Sequence, residues 1–186
     1  PHMALSRFPS HLTLVAPALA LRPLAPDPTR IHPERLPAAE LDPETGIVTR
    51  RALLERLEVM GELALTAPLS FLVIHIDGPW RTDGTDGPPV AAVAGRVREL
   101  TRPIDCLGRL RADCLGVILQ GTGVTAAGAV AARLSHHLNR IPEVSPHFTV
   151  SVSAATGTGR NARTLPSAAM DAFEAAFRLP NMLRRL

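Results

Sequence analysis

Short apolar runs rich in β-branched residues alternate with segments of helical periodicity from residue 41 onward, and this alternation constrains the fold most strongly. In residues 49–65 the apolar side chains recur every three or four positions, which predicts a helix capped by Thr49. Residues 69–76 form an apolar, β-rich run that ends in the turn-forming sequence Asp77-Gly78-Pro79. The domain is therefore predicted to begin with a helix followed by a strand.

The remaining segments extend this order. Helices are predicted over 88–101, 126–138 and 165–179, and a strand is predicted over 148–156. Two short apolar runs, 106–110 and 115–120, are separated by Arg111-Ala112-Asp113-Cys114, which predicts a β-hairpin. The order predicts an α/β (α+β) domain with a ferredoxin-like β-α-β-β-α-β core, in which helices cover a sheet.

Proline is concentrated at the start of the chain, where eight of the first 40 residues are proline. Proline fixes φ and lacks an N–H donor, so neither a long helix nor a central strand fits there. Residues 1–40 are therefore predicted to be a cloning remnant, Pro1-His2-Met3, followed by a proline-rich arm or linker to an upstream domain. Residues 41–186 are predicted to form the one folded domain.

Charge and composition argue against several functions. All 20 basic residues are arginine and the net charge is +3, and the arginines are scattered without an aromatic stacking face, so nucleic acid is not a predicted partner. The apolar runs are shorter than the ~20 residues of a membrane span, and no span is predicted. Cys106 and Cys114 lack the spacing of a disulfide framework or a metal site, so we predict no metal and a cytoplasmic location.

Five segments resemble the motifs of one protein family. The hairpin sequence GRLRADCLGVIL (108–119) resembles the signature hairpin of GGDEF domains, the diguanylate cyclases of bacterial signalling. Four other segments are similar to further motifs of that family and follow in the same order: LDPETGIVTRR (41–51), FLVIHIDGPW (71–80), TVSVS (149–153) and MDAF (170–173). The resemblance covers about residues 41 to 182 and implies a sheet of about five strands, mostly antiparallel, flanked by helices.

The positions that carry catalysis in this family differ in the present sequence. The resemblance implies two metal-binding carboxylates, but the first position is His75, and a neutral imidazole is a poor ligand for Mg²⁺. The second position is Asp113. The signature motif reads Arg111-Ala112-Asp113-Cys114-Leu115, in which both glycines and the glutamate are replaced. Arg111 places a long side chain where glycine lets the turn approach a nucleotide.

Other nucleotide-binding positions of the family have changed as well. The loop over residues 82–89 is shorter than in the family, and Phe177 and Asn181 stand where a lysine and an arginine grip the triphosphate. Together these losses imply a degenerate GGDEF homologue, a pseudoenzyme with no catalytic residue and no cofactor.

A second family site is retained in the sequence. Arg102 and Asp105 form an R-x-x-D motif at the spacing of the family's inhibitory site, and Arg133 falls at the position of a further arginine on the following helix. The resemblance implies that these three residues bind cyclic di-GMP, the product of the family's reaction. A guanidinium donates to guanine O6 and N7, while a carboxylate accepts from guanine N–H groups or orients the arginine. A ligand clamped between two copies would produce a homodimer.

Simpler interpretations stay open for the same residues. Arg102 and Asp105 are compatible with a solvated ion pair, Asp113 with a residue that stabilises the hairpin turn, and His75 with a core histidine. For the whole domain, the alternative to a cyclic di-GMP receptor is a nucleotide-independent scaffold that binds an unidentified protein. A pocket for another nucleotide is the weaker third interpretation.

Overall fold

The computed structural model describes residues 37–63, 65–79, 87–144, 147–172 and 174 of the 186-residue chain. Its helices and strands follow in the order α1 (Arg50–Leu63), β1 (Pro68–Asp77), α2 (Val90–Leu100), β2 (Cys106–Arg111), β3 (Cys114–Gln120), α3 (Val124–Leu138) and β4 (Thr149–Thr158). Two 3-10 helices, Ala38–Glu40 and Gly159–Thr164, flank this series, and residues 165–172 are helical.

The strands form one sheet in the order β2-β3-β1-β4, and every neighbouring pair is antiparallel. The long β1 pairs with β4 from Pro68 opposite Thr158 to Asp77 opposite Thr149. The predicted β-α-β-β-α-β order is therefore confirmed. The described residues contribute four strands, which is the number that the apolar runs predict. The expectation of about five strands came from the family resemblance alone.

Helices cover both faces of the sheet. Successive side chains of a strand point to opposite faces, so Leu72 and Ile74 of β1 pack with α2 and α3. Phe71 and Val73 pack on the other face with α1 and with the residues that follow β4. Burial on both faces explains why β1 has a continuous apolar sequence rather than an alternating one.

The ends of the helices lie close to the predicted ones. The hydroxyl of Thr49 accepts a hydrogen bond from the main-chain N–H of Ala52 at 3.4 Å, so Thr49 caps α1 as expected. Helix α2 begins after Pro88, which the sequence pattern places inside it, and α3 begins directly after Gly123. The predicted helix over 165–179 is helical at 165–172 and at 174, and its other residues lie outside the described part.

The described part of the proline-rich arm contacts the domain. Arg56 of α1 donates from Nη2 to Glu40 Oε2 at 2.6 Å, and the main-chain N–H of Thr49 donates to the carbonyl of Glu40 at 2.8 Å. Residues 1–36 lie outside the described part of the chain, and the division of the chain at residue 40 stays a prediction. None of the helices in the described ranges is long and apolar enough to cross a membrane.

Candidate functional site

The turn between α2 and β2 carries the predicted pair Arg102 and Asp105. The main-chain N–H and Nε of Arg102 donate to Asp105 Oδ2 at 3.0 and 3.2 Å, and Nη2 donates to Oδ1 at 2.9 Å. The Asp105 side chain is 3% exposed, whereas that of Arg102 is 56% exposed. The carboxylate therefore lies beneath the guanidinium and holds it in a two-pronged, charge-assisted contact rather than in a loose solvated pair.

The end of β3 provides a second anchor for Arg102. Its Nη2 also donates to the carbonyl oxygen of Gln120 at 3.0 Å and to the hydroxyl of Thr122 at 2.9 Å. The hydrogen bond with Asp105 raises the pKa of Arg102, which keeps the guanidinium charged at any physiological pH. None of the residues that the structure describes accepts a hydrogen bond from Nη1, which leaves that nitrogen available to a ligand.

Arg133 lies beside the same turn. From α3 its Nη2 donates to the carbonyl oxygen of Leu100 at 2.9 Å, and Leu100 is the last residue of α2, two positions before Arg102. The three residues predicted to bind the ligand are therefore arranged around one turn: Arg102 and Asp105 in direct contact, and Arg133 on the main chain next to them.

Sequence reasoning missed two participants in this site. It gave no role to Thr122, which lies between Gly121 and Gly123, and none to Gln120. The structure places the Thr122 hydroxyl and the Gln120 carbonyl on the guanidinium of Arg102. The sequence feature that pointed to this role was Thr122, a single threonine between two glycines at the end of an apolar strand.

The altered signature hairpin lies at the other end of β3. Its two-residue turn, Ala112-Asp113, is flanked by the pair Arg111 and Cys114, and a β-bulge lies between Arg109 and Arg111. No described residue other than glycine has a positive φ, so this turn forms without the left-handed backbone that glycine favours. The replaced glycines are therefore not required for the hairpin to close.

The two positions that the resemblance assigns to metal ligands contact each other. His75 Nε2 lies 3.3 Å from Asp113 Oδ2, and both side chains are partly buried. The main-chain N–H of Ile76 donates to the carbonyl of Asp113 at 2.9 Å, which ties the turn to β1. The described ranges contain no group of three or more His, Cys, Asp or Glu residues that could hold a metal ion.

The other positions of the altered motif lie in different surroundings. Burial raises the pKa of the Cys114 thiol to about 11 and that of Cys106 to about 12, so both are neutral at physiological pH. Leu115 is fully buried in the core and Ala112 is exposed. Arg111 extends towards the helical residues after position 164, with Nη2 at 3.2 Å from the sulfur of Met170.

Arg109 connects this hairpin to the segment that precedes α1. Its Nη1 donates to both Asp42 and Glu44, while Nη2 and Nε donate to the carbonyls of Ala112 and Arg111 at 3.1 and 3.2 Å. Burial alone would raise the pKa of Asp42, but hydrogen bonds from Thr45 and Arg109 outweigh burial and lower it. The ionised form of Asp42 therefore stabilises the folded state.

This contact predicts a pH dependence of stability. Because the folded pKa of Asp42 lies below its unfolded value, the stabilisation is present above about pH 4 and is lost as the pH falls through the folded pKa. We expect Asp42→Asn to lower the free energy of unfolding by about 1–2 kcal/mol at pH 7 and by much less at pH 3. Urea unfolding of both proteins at several pH values measures this, and a difference that does not change with pH would contradict it.

Solved structures with the same architecture define the class of fold. The GGDEF domain of FimX from Pseudomonas aeruginosa superimposes with a TM-score of 0.63 at 21% identity, over 75% of this chain and 94% of that one. The GGDEF domain of DgcB from Caulobacter crescentus, in complex with c-di-GMP, gives 0.63 at 17% identity, over 77% and 90%. The Pseudomonas aeruginosa diguanylate cyclase SiaD, in complex with its activator SiaC, gives 0.59 at 22% identity, over 74% and 59%. The chain therefore has a GGDEF-like α+β fold, which confirms the predicted fold class.

One curated protein is also similar in sequence. The chain is 26% identical over 117 residues to the probable diguanylate cyclase DgcT of Escherichia coli K12. The match includes 60% of this chain and 26% of that protein, so the chain spans about a quarter of the relative's length. No protein-family model matches the chain.

Proposed function

We propose that this chain is a catalytically inactive GGDEF-like domain that binds cyclic di-GMP and acts as a receptor in bacterial second-messenger signalling. The observation that carries the proposal is the contact between Arg102 and Asp105, in which a buried carboxylate holds an exposed guanidinium in the turn after Leu100, whose carbonyl Arg133 contacts. A cation held in this way is preorganised, because little side-chain freedom remains to be lost on binding. A domain of the same fold, that of DgcB, is known in complex with c-di-GMP.

The contacts of Arg102 favour a particular division of roles. Asp105 engages Arg102 with both carboxylate oxygens, so we assign it to orienting the guanidinium rather than to accepting from guanine. Nη1 of Arg102 then donates to O6 or N7 of a guanine base. Arg133 supplies a second positive charge next to the same turn, which attracts the phosphates of the ligand.

The altered hairpin supports the absence of cyclase activity. Diguanylate synthesis in the resembled family depends on metal-bound carboxylates, and here His75 and Asp113 occupy those positions and contact each other. Mg²⁺ prefers several oxygen ligands, which this pair does not offer. The neutral, buried thiol of Cys114 replaces a further carboxylate. Phe177, Asn181 and most of the shortened loop over residues 82–89 lie outside the described residues, so their effect on nucleotide binding stays a prediction.

One observation favours the second candidate, a nucleotide-independent protein-interaction domain. Val59 and Leu63, one turn apart on α1, and the nearby Leu65 are all more than half exposed. Exposed large apolar side chains that lie close together are typical of surfaces that bind another protein. A scaffold of this kind would use the α1 surface and would not depend on Arg102.

Two measurements on the purified protein test the proposed function. Calorimetric titration is expected to show cyclic di-GMP binding with micromolar or higher affinity. Incubation with GTP and Mg²⁺ or Mn²⁺ is expected to give no cyclic di-GMP above the background of a protein-free control. Synthesis above that background would contradict the inactive assignment, and a folded protein that releases no heat with cyclic di-GMP would favour the scaffold. Light scattering in the same titration tests whether the ligand joins two copies.

A further inference from the structure

Two buried polar residues lie close to the proposed ligand site. Among the residues that the structure describes, Ser70 is fully buried and Thr122 is 5% exposed, and they are the buried polar residues in a core that is otherwise apolar. A buried hydroxyl without a hydrogen bond is strongly destabilising, so such groups occur where their bonds are made. The partners of these two side chains therefore indicate what they do.

The hydrogen bonds of these residues converge on Thr122, some at its main-chain carbonyl and others at its hydroxyl. The Ser70 hydroxyl donates its single proton to the carbonyl of Thr122 at 2.7 Å, so it accepts the 2.7 Å hydrogen bond that it shares with the Thr156 hydroxyl. The Thr122 hydroxyl donates to the carbonyl of Gln120 at 2.9 Å. With its proton used, the Thr122 oxygen is an acceptor, and Nη2 of Arg102 donates to it.

These hydrogen bonds limit the movement of the Arg102 guanidinium. Nη2 carries two N–H groups and faces three acceptors, Asp105 Oδ1, the carbonyl of Gln120 and the hydroxyl of Thr122. Asp105 lies in the same turn as Arg102, so that contact alone fixes the guanidinium relative to the turn. The carbonyl of Gln120 on β3 and the hydroxyl of Thr122 fix it relative to the sheet. Ser70 on β1, which also bonds Thr156 on β4, holds the main chain of Thr122 in place.

We propose that Thr122 is a positioning residue of the ligand site: Ser70 holds its main-chain carbonyl, and its hydroxyl fixes the guanidinium of Arg102 so that Nη1 faces the ligand. The identity of the ligand rests on the proposed function, whereas the restraint on Arg102 does not. Thr122 itself does not touch the ligand in this arrangement. Its contribution is to reduce the freedom that Arg102 loses on binding.

Threonine-to-valine substitution removes the hydroxyl with little change of shape and tests the proposal. We expect Thr122→Val to weaken cyclic di-GMP binding about fivefold and to accelerate hydrogen exchange at the Arg102 Nε–H about fivefold, measured by NMR without ligand. Thr122→Ser, which keeps the hydroxyl, is expected to restore both values. Thr101→Val is the matched control, because Thr101 adjoins Arg102 but its hydroxyl bonds the carbonyl of Val97.

Each outcome of this experiment decides between alternatives. Unchanged affinity or unchanged Arg102 exchange in Thr122→Val overturns the positioning role, and so does an equal effect in Thr101→Val. If the wild-type protein does not bind cyclic di-GMP, the proposed function fails, while the exchange rates still decide whether Thr122 restrains Arg102. If Thr122→Val does not fold, Ser70→Ala replaces it: faster Arg102 exchange supports the proposal, and unchanged exchange overturns it.

Discussion

Replacement of Arg102 by alanine is expected to weaken cyclic di-GMP binding at least about thirtyfold, which corresponds to about 2 kcal/mol. Under the proposed function, the substitution removes the Nη1 donors assigned to guanine, and it leaves the carboxylate of Asp105 without its cation. The uncompensated negative charge at the site then opposes the binding of an anionic ligand. Calorimetric titration of cyclic di-GMP into the variant and the wild-type protein measures the effect.

A matched arginine elsewhere in the domain provides the control. Arg163 forms an exposed ion pair with Glu58 at 3.5 Å, and Arg163→Ala changes the net charge by the same amount as Arg102→Ala. We expect this control to bind cyclic di-GMP with the affinity of the wild-type protein. Equal binding by Arg102→Ala and the wild-type protein would mean that a ligand binds elsewhere, and equal losses in both variants would indicate a general effect of charge.

The second large effect concerns the core between β1 and α1. Phe71 is fully buried and packs in the cluster that includes Leu53 and Ile118. Phe71→Ala removes most of a large buried side chain and leaves a cavity, so we expect the free energy of unfolding to fall by about 4 kcal/mol. Because domains of this size are stable by about 5–15 kcal/mol, a large part of the total would be lost. Urea unfolding followed by circular dichroism measures the change.

A substitution at an exposed apolar residue is the control that shows how much of the loss in unfolding free energy depends on burial. Val59 lies on the outer surface of α1 and is more than half exposed. Val59→Ala is expected to change the free energy of unfolding by less than about 0.5 kcal/mol, because little surface is removed from contact. A loss of only about 1 kcal/mol in Phe71→Ala would show that the core around β1 is less tightly packed than the structure indicates.

Apolar periodicity predicted most of the fold because it reflects burial directly. In the run over residues 69–76, the side chains that point to either face of the sheet are mostly apolar, as a central strand requires. This run forms β1, an inner strand of the sheet. Helix ends were less predictable, since Pro88 is tolerated in a first turn but does not have to be part of it. The strand count was least secure, because it depended on a resemblance and not on a pattern in the chain.

In the candidate site, the sequence predicted contacts between residues a few positions apart, but not contacts between residues that are far apart in the sequence. Arg102 and Asp105 are three positions apart, so their spacing already suggested the ion pair that the structure contains. The contact between Arg102 and Thr122 depends on how the turn after α2 packs on the end of β3, which no local pattern reports. The contact between Asp42 and Arg109 joins residues 67 positions apart and escaped prediction for the same reason.

The pairing of β1 with β4 has a consequence for how this protein is made. The first residue of β1, Pro68, pairs with Thr158, so the central strand acquires one of its two neighbours only after residues 149–158 have been synthesised. Contacts between residues so far apart in sequence are slow to form, because a long loop must close before they contribute. During translation, β1 therefore passes through a period with one edge open. An open strand edge favours pairing with other chains, so this interval is when β1 is exposed to aggregation.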